Sequence, residues 1–205
     1  MKNLNQTLNL KTRKTMKSKT LISVLAIGLF AITTAFAPAD GKLISKTGHI
    51  SFFSHTDVED ITAHNYKVVS TINTETGEVV FSVPMQAFEF EKSLMQKHYN
   101  SKKFLNTKKH PKSKFKGKIT NLSEVNFTKD GVYKAKVKGE MELHGVTKPI
   151  TEEGTITIKG EKAIVDLKMN ITLADYNIAF EKGKPSTNIA KTIEVTVKAE
   201  HLPAN

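Results

Sequence analysis

Apolar and polar residues alternate along much of the chain after residue 40, and the clearest run begins at Lys134. Side chains of a β-strand alternate between the two faces of a sheet, so this run predicts an antiparallel strand with one buried and one solvated face. The run breaks at His144-Gly145, where we expect a tight corner, and resumes after Pro149. Its apolar face comprises Ala135, Val137, Gly139, Met141 and Leu143.

Similar alternation predicts strands on both sides of this run. Residues 91–106 differ, because Leu94, Met95, His98 and Tyr99 recur at helical spacing and predict a short helix with Ser93 as a candidate cap. About eight amphipathic strands and one helix predict an all-β, antiparallel barrel or sandwich with one short helical insert. The other predicted strands are 42–54, 61–74, 79–84, 113–122, 154–160, 163–173 and 192–199.

The first 39 residues have a different pattern. A basic patch at residues 11–19 precedes an uncharged apolar run at 21–36, and small residues follow at Ala35, Ala37 and Ala39. This order is typical of a secretory signal peptide, with cleavage expected after Ala39; a retained membrane anchor is the alternative. We therefore divide the chain into a signal peptide at 1–39 and one domain at 40–205, exported to the periplasm or secreted.

Positive charge is unevenly distributed along the chain. The formal net charge is +11, but residues 1–39 contribute six basic residues and no acid. Residues 92–118 contain ten lysines and no acid, a composition that favours a phosphate head group or an anionic membrane surface. The alternative is a solvated lysine face at a barrel rim. Nucleic acid is not expected, because basic and aromatic residues are rarely interleaved. The candidate head-group residues are Lys102, Lys103, Lys108 and Lys109.

Four segments together match the pattern of a known family: GEMELHGVTKPI at 139–150, TGHISFFS, LNTKKHPKSKFKG and IEVTVKAEHL. The first resembles the most recognisable segment of the YceI-like family, and the others resemble its first strand, helix-to-strand passage and last strand. The resemblance implies an exported, eight-stranded lipocalin-like barrel with an elongated apolar cavity that binds polyisoprenoid or other long amphiphilic lipids. The segment LADYNIAF at 173–180 departs from the family pattern, since it lacks a glycine.

The apolar strand faces are the candidate ligand surface, because lipid pockets are lined mainly by aliphatic and aromatic side chains. From the residues alone, a solid core remains an alternative, since small barrels are often filled by their side chains. The family resemblance favours a cavity, in which small residues such as Gly117 and Gly139 would leave room. The predicted ligand-binding residues are Phe52, Phe81, Val83, Met85, Phe115, Val137, Met141, Leu143, Leu167, Met169, Val195 and Val197.

The sequence predicts no catalytic residue, metal or cofactor. It contains no cysteine, no His-x-His or Glu-x-x-His pair of metal-ligating residues and no nucleophile motif. His144 is instead expected to form a hydrogen bond within its own corner. The alternative hypothesis of an enzyme that acts on a bound lipid is supported only by the polar residues His144, Asp175 and Tyr176. The oligomeric state stays open, a dimer included.

Overall fold

The computed structural model describes residues 41–178, 180–181, 184–185 and 188–204. The predicted signal peptide lies outside these residues, so its assignment stays a prediction. Among the described residues, no helix is both long and apolar enough to cross a membrane.

Eleven strands and one α-helix form the described part of the fold. Helix α1 spans Ser93–Asn100, and three short 3-10 helices cover Met85–Ala87, Leu122–Glu124 and Leu173–Tyr176. The short strands are β4 Glu89–Phe90, β9 Phe180–Glu181 and β10 Lys184–Pro185. The long strands are β1 Lys42–His55, β2 Asp60–Asn73, β3 Glu78–Pro84, β5 Lys112–Ile119, β6 Gly131–Leu143, β7 Val146–Lys159, β8 Lys162–Thr172 and β11 Thr192–Pro203.

The eight long strands close into an antiparallel barrel. Their order is β1-β11-β8-β7-β6-β5-β3-β2, and β2 pairs again with β1. Closure removes unpaired sheet edges, and alternation then places every second side chain inside the barrel. The predicted eight-stranded barrel with one helical insert is confirmed.

One seam of the barrel is only partly closed. Strands β7 and β8 pair from Lys159↔Lys162 to Thr155↔Asp166. Beyond that point, the described residues of β7 pair with β6, and those of β8 pair with β11. Pro149 lies in this singly paired stretch of β7, where a missing amide donor is tolerated. The strand begins at Val146 rather than after Pro149, because Val146 already pairs with Leu143.

The corner between β6 and β7 is a two-residue hairpin turn. His144 and Gly145 both have positive φ values, of 53° and 78°. Such backbone angles match the twist of the flanking strands, which is why Gly commonly occupies the second position. The turn fixes the register, so Val137 lies opposite Glu152 and Gly139 opposite Ile150.

The barrel interior contains two clusters of buried residues. We call the end that carries α1 and the β6–β7 turn the helix end, and the opposite end the core end. At the core end, Ile72, Ile156 and Ile158 are at most 3% exposed and pack with residues of the β5–β6 connection, including Val125. The larger cluster, towards the helix end, includes Met85, Phe88, Tyr99 and Met141.

Helix α1 is shorter than the predicted segment and begins without the expected cap. Lys92 is the N-cap residue, and no side chain forms a capping hydrogen bond there. Ser93 is the first helical residue, so its predicted role as a cap is wrong. Packing of buried Tyr99 against the barrel supplies stability that so short a helix lacks by itself.

Candidate ligand-binding cavity

An apolar cavity of about 1260 Å³ occupies the barrel between the helix end and the core end. Drug-sized ligand pockets usually enclose roughly 300–1,000 Å³, so this one has room for a long chain. All twelve predicted ligand-binding residues line it, although their contact with a ligand stays a prediction. They are Phe52, Phe81, Val83, Met85, Phe115, Val137, Met141, Leu143, Leu167, Met169, Val195 and Val197.

Four aromatic rings pack together where α1 meets the barrel. The Tyr99 ring lies 4.9 Å from that of Phe90 and 5.7 Å from that of Phe88, measured between centroids. Phe52 lies 5.4 Å from Phe88 and 6.1 Å from Tyr99. Such tilted arrangements add to the area that the rings bury. This cluster holds α1 against the cavity, and it was not predicted, because helical spacing alone does not show where a helix packs.

The hydroxyl group of Tyr99 is buried and has no hydrogen-bond partner among the described residues. The Tyr99 side chain is 5% exposed, and burial raises the pKa of its hydroxyl far above the ordinary value. An unpaired buried hydroxyl is unfavourable, because the unfolded chain would bond it to water. The hydroxyl therefore weakens the fold at the helix end.

The lysines of residues 92–118 are all exposed, but they differ in their surroundings. Among the four predicted head-group residues, Lys103 lines the cavity, whereas Lys102, Lys108 and Lys109 do not. Lys92 also lines it and forms an ion pair with Glu59 at 3.1 Å. Head-group contact by the four predicted lysines stays a prediction.

Part of the lysine charge is balanced across the sheet. On the outward face, Lys114 of β5 lies opposite Glu142 of β6, and Lys116 lies opposite Glu140. Opposite charges at such positions attract, so these lysines contribute little net positive potential. The loop lysines at 102, 108 and 109 form no ion pair with an acid of the described residues. Positive charge at these three positions of the α1–β5 connection is therefore not balanced by an ion pair among the described residues.

His144 has a structural contact that differs from the predicted one. Its Nδ1 donates to the carbonyl oxygen of Tyr176 at 3.0 Å, so the bond reaches another element rather than its own corner. Lys148 reaches the same 3-10 helix through Asp175, at 2.9 Å. These two contacts fasten the helix Leu173–Tyr176 to the start of β7, where the β7–β8 ladder is absent. The three polar residues behind the enzyme hypothesis thus lie close together, each with a contact that supports the fold.

His110 lies beside the turn, with its ring centroid 4.7 Å from that of His144. Desolvation by burial, and then the neighbouring His144, lower the pKa of the His110 imidazole. The ring fills the space in which a side chain at Gly145 would sit, since a Cβ there would lie 2.7 Å from His110 Cε1. Within the described ranges, no three acidic or histidine side chains form a group able to hold a metal ion.

Gly117 and Gly139 have a role other than leaving room in the cavity. They lie opposite each other in β5 and β6, and a Cβ on Gly139 would lie 2.4 Å from the Gly117 Cα. Neither residue is among those that line the cavity. Glycine is required here because the two backbones approach too closely for a side chain.

Glu152 is a cavity residue that the sequence analysis missed. It shares the inward face of β7 with Ile150, Gly154 and Ile156, and it is half-buried. Desolvation by burial raises the pKa of its carboxyl group above the ordinary value. The two-residue turn is the feature of the sequence that could have placed Glu152. Because Leu143 pairs with Val146, Glu152 lies opposite Val137 on the inward face. The predicted strand begins at Gly154, so the prediction leaves Glu152 without an assigned face.

A buried histidine supports the core end. His201 Nδ1 donates to the Ala199 carbonyl at 3.2 Å, and its Nε2 lies 2.8 Å from the Ser70 hydroxyl, which donates to it. Desolvation by burial lowers the pKa of His201 to about 4. The ring is therefore neutral near neutral pH and joins β11 to β2 inside the barrel.

Known structures share this architecture. A polyisoprenoid-binding domain from Saccharophagus degradans superposes with a TM-score of 0.67 at 13% identity, covering 80% of this chain and 99% of that chain. BcnA of Burkholderia cenocepacia gives a TM-score of 0.63 at 14% identity, covering 75% and 95%. At these identities the similarity establishes the fold.

Sequence comparisons extend over nearly the whole chain. A UPF0312 protein of Yersinia enterocolitica is 26% identical over 200 residues, covering 88% of this chain and 97% of the relative. A UPF0312 protein of Yersinia pestis has the same identity and coverage. The YceI-like domain family matches residues 34–201, which include all the cavity-lining residues and every long strand except the last two residues of β11. The chain therefore belongs to the YceI-like domain family.

Proposed function

We propose that this protein is exported and holds a long amphiphile, such as a polyisoprenoid, in the barrel cavity. The cavity itself is the observation that carries the proposal, because about 1260 Å³ of apolar space would otherwise be unfavourable to maintain. A flexible chain would contact the aliphatic, aromatic and methionine side chains of its wall. We propose binding rather than catalysis.

The similarity to a polyisoprenoid-binding domain supports the choice of ligand class. A polyisoprenoid is a long, branched hydrocarbon that ends in a polar group. Its chain would lie along the barrel axis, and its polar end would lie near Lys103 and the α1–β5 connection. Opposite charges and an apolar interior together favour this orientation.

The test is to identify what the purified protein carries. We expect organic extraction followed by mass spectrometry to recover a lipid with a long apolar chain. The delipidated protein should then take up a fluorescent isoprenoid with saturable binding. Repeated isolation of lipid-free protein, together with no uptake of the probe, would contradict the proposal.

A cavity-filling variant separates binding from folding. Met141→Trp places a larger side chain in the cavity and should abolish uptake of the isoprenoid, whereas Val132→Trp on the same strand is the control. Val132 is 69% exposed, so its replacement should leave uptake unchanged. Val137→Trp provides a second blocking variant, since Val137 is only half-buried and also lines the cavity. Circular dichroism verifies that each variant folds.

Export has its own test. Residues 1–39 have the order of segments found in secretory signal peptides, and cleavage after Ala39 is expected. We expect the protein isolated from its native host to begin at Asp40 when its intact mass is measured. Recovery of the uncleaved chain from the cytoplasmic fraction would contradict export.

A second candidate function is docking on an anionic surface through the α1–β5 connection. Leu94 is 62% exposed at the start of α1, close in sequence to Lys92 and Lys97. An exposed apolar side chain among lysines is typical of contact with an anionic membrane, to which each lysine adds about 1 kcal/mol. This role would be that of a structural or stress-related secreted module. It does not require a ligand in the cavity.

Vesicle binding distinguishes the two candidates. Changing the lysines at 102, 108 and 109 to glutamine should weaken binding to anionic vesicles, and added salt should weaken it in the wild type. The matched control changes three exposed lysines elsewhere, at 129, 134 and 159. If docking is the function, binding survives Met141→Trp. Equal effects of both lysine sets would contradict a specific docking surface.

A further inference from the structure

We propose that Glu152 is a recognition site for a hydrogen-bond-donating group, a hydroxyl or an amine, on the tail of the bound amphiphile. The inference rests on the proposed lipid-binding function and specifies the ligand more narrowly. A tail made only of hydrocarbon would leave this carboxylate without a partner. A tail with a donor group would satisfy it.

Glu152 faces the interior, as the register shows. It lies directly opposite Val137 of β6, and residues opposite each other in an antiparallel pair share a face. Its neighbours on the inward face of β7 are Ile150 and Gly154, which also line the cavity. The next residue, Glu153, faces outwards and forms an ion pair with Lys136 at 3.0 Å. The two adjacent glutamates therefore differ in environment but not in chemistry.

The carboxylate of Glu152 has no partner among the described residues. No ion pair or hydrogen bond of its side chain occurs there, whereas Glu153, Glu194 and Glu200 each pair with a lysine. Glu152 is half-buried, so its carboxylate is partly withdrawn from water, which is unfavourable without a partner. A position facing an apolar cavity would be more stable with leucine or valine, so the acid is explained best by a ligand group that binds it.

The depth of Glu152 indicates which part of the ligand it would contact. Val137 lies six residues before the end of β6 at the helix end, which corresponds to about 20 Å along the strand. The lysines that would hold the polar head lie at the helix end, so Glu152 is close to the far end of an extended chain. A ligand whose only polar group is its head group would not place a polar atom near Glu152.

The Glu152 carboxylate is approached from the cavity rather than from the side of Gly154. The space beside Gly154 is filled, since a Cβ there would lie 2.7 Å from the Asp166 carbonyl oxygen and 3.2 Å from Leu167 Cβ. The singly paired stretch of β7 also contains Glu152, so no β8 ladder constrains the strand at this position. A hydroxyl or amine could therefore approach the carboxylate oxygens from the cavity.

The experiment compares palmitic acid with ω-hydroxypalmitic acid, which adds one hydroxyl at the tail. Competition against a fluorescent lipid gives the dissociation constants for the wild type, Glu152→Leu, Glu152→Gln and the outward control Glu153→Gln. We expect the preference for the hydroxylated chain to fall about tenfold or more in Glu152→Leu. Glu152→Gln should be intermediate, because an amide oxygen still accepts a hydrogen bond, and Glu153→Gln should match the wild type.

The wild type alone provides a test that does not depend on folding of a variant. It should bind ω-hydroxypalmitic acid at least as tightly as palmitic acid, whereas a cavity without an acceptor should disfavour the hydroxylated chain by about tenfold or more. Equal preferences in the wild type and Glu152→Leu, with both acids bound, would overturn this inference and leave the proposed function standing. If neither the wild type nor any variant binds either fatty acid, both this inference and the proposed function are overturned.

Discussion

The two ends of the barrel use the same alternation of side chains with opposite results. At the core end, Ile158 is almost fully buried away from the cavity, Ile72 and Ile156 are buried where the cavity ends, and the β5–β6 connection packs with all three. Towards the helix end, Phe52, Phe81 and Phe115 also point inwards, yet they are only partly buried. Larger side chains are thus accompanied by more empty space. The degree of filling depends on what covers each end of the barrel.

The difference divides the barrel into a supporting part and a binding part. Substitutions at the core end should reduce stability, because tightly packed atoms there lose contacts that the structure cannot replace. Substitutions along the cavity should mainly change ligand affinity, because their side chains already border empty space. The following predictions test this division.

Ile158→Ala should have the largest effect on stability. Ile158 is 2% exposed in the core-end cluster, so its truncation should lower the free energy of unfolding by about 2–5 kcal/mol. Leu167→Ala on the cavity wall should lower it by less, about 1 kcal/mol, since part of its surface already faces the cavity. Urea denaturation of the ligand-free protein measures both. Equal losses would contradict the division between the two ends.

The pH dependence of stability should depend on His201. Its folded pKa of about 4 lies below the ordinary value of 6.5, so the unfolded chain binds the proton more tightly. The contribution is complete above about pH 6.5 and is lost as the pH falls towards 4, by roughly 3 kcal/mol in total. The difference in unfolding free energy between the wild type and His201→Gln, measured from pH 7 to pH 4, should show this loss. His98→Gln on exposed α1 serves as the control.

Gly139→Ala tests the junction between the two halves. The new Cβ would lie 2.4 Å from both the Gly117 Cα and the Lys116 carbonyl oxygen, so the strands must separate. We expect a loss of about 1–3 kcal/mol in unfolding free energy. The control is Gly131→Ala on the same strand, where the new Cβ meets only the side chain of Tyr133, at 3.2 Å or more. A Gly139→Ala variant as stable as this control would contradict a requirement for close backbone approach.

Tyr99→Phe should have the smallest effect and the opposite sign. The change removes a buried hydroxyl that no described residue bonds, so thermal unfolding should show a gain of about 1 kcal/mol in the free energy of unfolding. Tyr133→Phe is the contrasting change, because the Tyr133 hydroxyl donates to the Lys129 carbonyl at 2.8 Å. Its loss should be neutral or slightly destabilising. Destabilisation by Tyr99→Phe would mean that the hydroxyl contributes to the fold.

The sequence by itself determined which residues face inwards. Alternation with period two places Val137 and Met141 on one face whatever the strand order, and all twelve predicted residues line the cavity. It also indicated the β6–β7 corner, because glycine is favoured where φ is positive. The family resemblance then specified a closed barrel, which local patterns do not distinguish from a sandwich.

Only the tertiary structure decided the relations between strands. The partial β7–β8 ladder and the contact of His144 with Tyr176 join residues that are distant in sequence. Gly117 and Gly139 contact each other closely because two strands pair there. The Tyr99 hydroxyl has no partner within the described part of the chain, where α1 packs on the aromatic cluster. Glu152 was found only from strand register, because a single charged residue in an alternating run has no assigned face until its partner strand is known.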